Sequence, residues 1–239
     1  MLTIMRAKRG GRRQDGKTLP WARQAFGNAR SYLDMLFVDH GIFRVAYLNR
    51  HRLGKRAWRS AQPAPHHIRA MAREGIRTIV NLRGERRCGS YRLEKSACER
   101  HGITLVNFHI RGRRAPSREE IKRTIELFER VEYPMLIHCK SGADRTGLIS
   151  TLYSFLREGV PLTEARRQLS LRYGYLRHSR SGILDLFFMS YLEDNQRQPV
   201  TFIDWVDKVY DPEKLRLLFQ EKSWAKRLAR RWSGAIERP

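Results

Sequence analysis

Acidic residues are scarce in this chain: 24 Asp and Glu face 48 Lys and Arg across 239 residues, leaving a formal charge of +24. An excess of that size points to a polyanionic partner, either nucleic acid, an anionic membrane surface or a phosphorylated substrate. Cysteine is almost missing too. Cys88, Cys98 and Cys139 are odd in number and unrelated in spacing, which argues against a disulfide framework or a zinc site of paired Cys-x-x-Cys and fits a reducing cytoplasm. No apolar run reaches the ~18 residues of a membrane span, and the basic start MLTIMRAKRGGRRQDGK is not followed by the apolar core of an export signal. At 41% hydrophobic content the chain still holds enough apolar material for one substantial core.

Charge divides the chain only weakly. Residues 1–20 carry six Lys and Arg against one Asp, and residues 221–239 carry six against two Glu, so most of the excess lies in the body. Residues 1–20 read as a disordered basic arm, and 21–43 as an amphipathic helical extension built on Ala22, Phe26, Ala29, Leu33, Leu36 and Phe37. That helix either packs on the domain or lies on a membrane surface. A catalytic domain is expected over 44–200 and a helical, basic extension over 201–239.

Within the domain, Arg44 to Leu48 and Arg56 to Ser60 read as short strands. Pro65 to Glu74 reads as a helix stopped by Gly75, and IRTIVNL as a buried strand. The pattern then repeats, with a helix from Tyr91 to His101 stopped by Gly102, the strand ITLVNFHI, and a helix opened by Ser117 and Glu120 in capping-box spacing. A last strand, YPMLIHC, runs into HCKSGADRTG, followed by helices over Thr146–Arg157, Leu162–Leu171 and Gly182–Glu193. Strands alternating with helices, then helices alone, give an α/β fold: a central, mostly parallel sheet flanked by helices, with a helical C-terminal part.

A strand ending in Cys139, a small-residue loop, Arg145 and a helix make the layout of an anion cradle. Ser141, Gly142 and Ala143 let successive backbone N–H groups point inward, and the helix presents its positive end to the same spot. Arg145 is placed to grip two phosphate oxygens at once. Cys139, among those groups, is expected as a thiolate nucleophile attacking phosphorus in line, followed by hydrolysis of a phosphocysteine. Thr146 is placed to donate to the departing sulfur, His138 to orient the loop, and Lys140 and Gly147 to complete the phosphate-binding set. Neither metal nor cofactor is expected, because Cys139 and the loop supply nucleophile and electrostatics.

The run HC-x5-R-T resembles the signature of the cysteine-dependent protein tyrosine phosphatase superfamily, in its bacterial dual-specificity-like branch. The likeness extends to WRSAQPAPHHIRAMAREGIRTIVNLRGER, GSYRLEKSACERHGI and RAPSREEI, and it implies that family's fold and a phosphate-monoester hydrolase. In that family the leaving-group proton usually comes from an Asp on a loop preceding the cysteine, here expected within HIRGRRAPS. No Asp stands anywhere between Asp39 and Asp144, and Arg111, Arg113 and Arg114 occupy the expected place. Asp144, inside the loop, is the candidate replacement, since C-x4-D-R-T resembles the loop of myotubularin-type and related phosphoinositide phosphatases. Its alternative role is structural, as a partner of Arg145 or a helix cap, and Glu119 and Glu120 are fallback acids.

Lys140, Arg113 and Arg114 give the pocket a positive rim suited to a phosphoinositide, an inositol phosphate or another phosphorylated headgroup, with phosphotyrosine or phosphoprotein as the alternative. WAKRLARRW, with Trp224, Leu228 and Trp232 on one helical face, fits a helix on the inner face of a membrane or one docked on the domain. Nucleic acid stays open as a partner, although no RNA-recognition or zinc-finger signature is present. An RNA 5′-phosphatase and a catalytically weak phosphate- or nucleic-acid-binding module are the other readings of the same loop.

Overall fold

The computed structural model describes residues 3–5 and 48–221. Six strands, β1 (Thr3–Met5), β2 (His51–Arg52), β3 (Ala57–Ser60), β4 (Thr78–Asn81), β5 (Thr104–Asn107) and β6 (Met135–His138), form one sheet. Its order is β1-β5-β4-β6-β3-β2. The inner pairs β5–β4, β4–β6 and β6–β3 are parallel, and the two edge pairs are antiparallel. Strand β6 is therefore flanked on both sides, and its C-terminal end opens at the centre of the sheet's carboxyl edge. Ligands of open parallel sheets bind at that edge.

Side chains of a strand alternate between faces, and here the alternation feeds two cores. Ile79, Leu105 and Leu136 pack with Ile68 and Met71 of helix α1 (Pro65–Arg73) and with Ala97 and Cys98 of helix α2 (Gly89–His101). Their neighbours Val80, Val106 and Ile137 face the other way, toward helices α3 (Arg118–Arg130) and α4 (Asp144–Leu156) and the C-terminal helices. Helix α2 ends on Gly102, left-handed at φ 69°, a conformation that strains any residue with a Cβ. The expected capping box opens α3: Ser117 Oγ accepts from the Glu120 N–H, while Glu120 Oε2 accepts from the Ser117 N–H.

Several expectations need correction. Thr3–Met5 pair with Met5 opposite Leu105 at the sheet edge, so this part of the supposed disordered arm is a strand. The remainder of the arm, the helix expected over 21–43 and the Trp-bearing 224–232 segment lie outside the described residues, as does nearly all of the strand expected over Arg44–Leu48; Leu48 itself is irregular. The strand ITLVNFHI is regular only over Thr104–Asn107. The helix expected over Leu162–Leu171 breaks into α5 (Leu162–Ala165) and two 3-10 turns, Arg166–Gln168 and Leu171–Tyr173. A buried Arg59 explains the break. Its guanidinium takes both the carbonyl and the side-chain oxygen of Gln168, each at 2.7 Å, and a continuing helix would need that carbonyl.

Residues 201–221 do not form a separate extension. Helix α6 (Ile183–Arg197) and helix α7 (Phe202–Lys208) share one aromatic cluster in which Phe187 packs against Phe188, Phe202, Trp205 and Tyr210, and Leu215 and Phe219 of a last helical stretch over 212–221 join the same core. Trp205 donates to Asp194 at 2.8 Å, joining α7 to α6. Truncating Phe187 to Ala should cost about 3–5 kcal/mol of unfolding free energy, because rings on every side lose a partner. Urea denaturation measures it, read as a lower midpoint at an unchanged slope.

Candidate active site

The loop after β6 lies against the domain, where each buried carbonyl oxygen needs a donor. Every carbonyl from Cys139 to Ala143 has one. Cys139 O accepts from His138 Nδ1 (3.2 Å), Lys140 O from the Gln62 N–H (3.3 Å) and Ser141 O from Asn49 Nδ2 (3.1 Å). Gly142 O accepts from Arg59 Nη2 at 2.6 Å, and Ala143 O from the Gly147 N–H at 2.8 Å, which starts α4. Gly142 has φ 77°, and a Cβ there would lie 2.8 Å from Ala61 N and Ser60 C, so both conformation and space demand glycine.

Two of these donors, Arg59 and Asn49, were not singled out from the sequence. Arg59 is wholly buried, lies 3.8 Å over the Tyr173 ring, and has its pKa pulled down to about 10 by burial, partly offset by Tyr173 and Cys139. It stays a cation at neutral pH and brings positive charge to the cysteine from beneath the loop. Asn49, left-handed at φ 50°, also donates to Tyr173 O at 3.0 Å, fastening the 169–175 segment to the loop. The one available signal was WRSAQP, quoted for its resemblance, which locates Arg59 without revealing its reach.

His138 is fully buried, and its Nε2 lies 2.5 Å from Glu94 Oε1, a short polar contact that is not aligned as a hydrogen bond. Because a carbonyl only accepts, Nδ1 carries a proton toward Cys139 O. Glu94 Oε2 accepts from Gln62 Nε2 at 2.7 Å, and Gln62 Oε1 accepts from Arg83. A chain of buried polar groups thus runs from Arg83 through Gln62 and Glu94 to His138, tying α2 to the base of the loop. Glu94 and Arg83 also escaped sequence reading, because a Glu and an Arg on polar stretches look like solvated charges.

Cys139 is buried, Arg145 is half-buried, and Arg145 Nη1 reaches Leu82 O at 3.4 Å. Gly112 presses its backbone on Arg145: a Cβ there would come 3.1 Å from Arg145 Cγ. The segment expected to carry an acid therefore does lie beside the phosphate clamp, but it brings arginines. Arg113 and Arg114 line a cavity of about 1080 Å³ shared with Arg177, Arg180 and Arg216, whose lining does not include Cys139–Arg145. Lys140 is half-exposed and Ser141 exposed at the mouth of the loop, while Gly147 sits where a Cβ would strike Leu169.

Asp144 is the first residue of α4; Ala143 occupies the cap position. Among the described residues the Asp144 carboxylate makes no ion pair and no side-chain hydrogen bond, so neither expected structural role is realised. Thr146 Oγ1 is buried without a hydrogen-bond partner, including Cys139. Glu120, a fallback acid, is used in the capping box. Cys98 belongs to the core beside Ile68 and Met71, where burial pushes its thiol well up, and Cys88 touches Ser90 Oγ at 3.4 Å.

Residues 47–180 match the family described as DSP-PTPase phosphatase fused to NAD+ kinase. The chain belongs to this family. It is thus a cysteine-dependent phosphatase of the tyrosine and dual-specificity kind. TpbA of P. aeruginosa shares its fold, at 19% identity and a TM-score of 0.50 over 72% of this chain and 91% of that one. The core catalytic domain of the PP-IP phosphatase SIW14 from S. cerevisiae aligns at 17% identity and a TM-score of 0.48, over 64% of this chain and 96% of its own. No curated protein matches the chain.

For this phosphatase, Gly142→Ala should disturb the loop far more than the sheet beneath it. Phosphate-monoester turnover is expected to fall by about 10²-fold or more, the scale of a site misplaced by an ångström, with the far-ultraviolet circular dichroism unchanged. Steady-state kinetics beside the spectrum checks both.

Proposed function

We propose that the 139–147 loop hydrolyses phosphate monoesters through a phosphocysteine, with a multiply phosphorylated inositol or lipid headgroup as substrate. The observation that supports the chemistry is the full set of donors on the loop carbonyls from Cys139 to Ala143, which holds the backbone between Cys139 and Arg145 in one shape. A phosphate in that cradle meets the positive end of α4 and a bidentate grip from Arg145. Cys139 Sγ attacks phosphorus in line, the P–O bond to the leaving group breaks, and the leaving oxygen takes a proton from Asp144. Water then attacks the phosphocysteine, giving its proton back to Asp144, and the P–S bond breaks with the Thr146 hydroxyl donating to the sulfur.

The substrate reading rests on what surrounds the clamp. Gly112 lies against Arg145, so its chain neighbours Arg111 and Arg113 come near the clamp residue, and Lys140 is half-exposed in the loop. Such a rim rewards further phosphates on the same molecule, because charge-assisted contacts outweigh neutral ones. The test is phosphate release by the purified protein and by Cys139→Ser, on a phosphotyrosine peptide, a phosphoinositide panel and 5′-triphosphorylated RNA. Release that needs Cys139 and is fastest on phosphoinositides supports the reading; a preference for the peptide or the RNA rejects the substrate class while keeping the chemistry.

Asp144→Asn tests the acid separately. Turnover of phenyl phosphate, a poor leaving group, should fall by about 10²- to 10⁴-fold, the usual worth of general acid catalysis. Turnover of p-nitrophenyl phosphate, whose phenolate leaves unaided, should fall much less. Equal losses on both would assign Asp144 to another task.

A further inference from the structure

The cavity beside the clamp is assembled from parts that the phosphate chemistry does not use. One wall is the 113–115 segment, a single residue beyond Gly112 and its contact with Arg145. The facing wall, 177–183, is closed into a rigid turn: Tyr175 donates to Ser181 O at 2.7 Å, and a Cβ on Gly182 would collide with Arg177 O. The chain just before that wall passes near the loop, since a Cβ on Gly174 would come 3.9 Å from Ala143. Both walls thus continue, within a few residues of chain, into segments that pass near the phosphate loop.

The charges within it are unbalanced in a specific way. Asp185, 6% exposed, is held by Arg166 at 3.1 Å and Arg177 at 3.0 Å, and Glu213 is held by Arg216. Glu213 and Arg216 balance one another, while Asp185 with its two arginines keeps a positive excess. Arg113, Arg114 and Arg180 have no ion pair among the described residues, so three of the five arginines that line the cavity are left unmatched by its two carboxylates, Asp185 and Glu213. Like charges held together repel, and an anion entering between them removes that repulsion.

Below the guanidinium groups the surface is apolar. Ile183, Leu186 and Met189 recur three apart on one stripe of α6, with Phe219 opposite from the last helix. Leu186, Met189 and Phe219 are only half-buried. A solvated charged face has no need of such a floor. A cavity of about 1080 Å³ with cations at the rim and hydrocarbon at the base suits a ligand with an anionic head and an apolar body.

We propose that this cavity, one residue along the chain from the contact of Gly112 with Arg145, is a second recognition site that takes the remainder of a phosphorylated lipid. A non-scissile phosphate lies among Arg113, Arg114 and Arg180, and the first part of the acyl chain lies on Ile183, Leu186, Met189 and Phe219. The assignment narrows the headgroup substrate of the preceding section to its lipid form and rests on that reading for which phosphate is cleaved.

Calorimetric titration of the full-length Cys139→Ser protein tests it, using dioctanoyl phosphatidylinositol 4-phosphate below its micelle concentration and inositol 1,4-bisphosphate, the same headgroup without chains. The lipid should bind about tenfold tighter or more, the scale of burying a few methylene groups. Met189→Asp should erase the lipid's advantage, and Arg180→Glu, at an exposed position where the fold is not at stake, should weaken both probes. Equal affinity of the two probes in the parent protein would overturn the proposal. So would an advantage that survives Met189→Asp, or a phosphotyrosine peptide whose binding Met189→Asp weakens while the lipid's is untouched. Turnover of p-nitrophenyl phosphate by the unmutated protein, lost in Cys139→Ser, is measured alongside. Its absence would strike the phosphatase reading and leave the binding result to stand on its own.

Discussion

A loop that presents N–H groups to an anion must first dispose of its own carbonyls, and the buried guanidinium of Arg59 does so at the tightest point. It holds Gly142 O, takes the end of the broken helix at Gln168, and lies on the ring of Tyr173. Burying a cation costs several kcal/mol unless hydrogen bonds and neighbouring charge offset it. Three acceptors and an aromatic face supply that offset here, and the cysteine sulfur, when ionised, adds to it. Fold and chemistry therefore share one residue: the charge that holds the loop carbonyl also lies close to the cysteine.

The Glu94–His138 contact imposes the same logic from the other core. Helix α2 packs on the sheet through Ala97 and Cys98, and its Glu94 reaches under the loop to a histidine whose other nitrogen holds Cys139 O. A rotation of α2 would leave buried polar groups without partners, which is expensive, and would loosen the histidine that holds the first carbonyl of the loop. The half-domain that touches no substrate thus fixes the start of the nucleophilic loop, as the segment from Tyr173 fixes its middle through Asn49.

Much of this was legible beforehand, and the gaps follow a pattern. Gly75 and Gly102 ended helices, Ser117 with Glu120 began one, and HCKSGADRTG announced a cradle, because each depends on residues adjacent in the chain. The break after Ala165 was invisible since its cause, Arg59, comes 109 residues away from Gln168. Asn49, Glu94 and Arg83 were missed for the same reason: a polar residue that becomes buried by pairing has no local mark. The strand at Thr3–Met5 hid beneath an Arg-rich composition, because edge pairing uses backbone groups that any sequence carries.

The absence of an Asp between Asp39 and Asp144 takes on a different meaning once Gly112 is seen against Arg145. An enzyme can meet the negative charge growing on a leaving oxygen in two ways, by donating a proton or by surrounding it with cations. The segment that would bring the proton brings Arg111, Arg113 and Arg114 instead, while Asp144, unpaired in the first turn of α4, is the carboxylate left inside the loop. On the proposed mechanism the two means are therefore divided between elements, the proton coming from the loop and the electrostatics from the segment facing it. That division favours leaving groups that are themselves anionic, because their charge is drawn to the same arginines, and it ties the choice of acid to the choice of substrate.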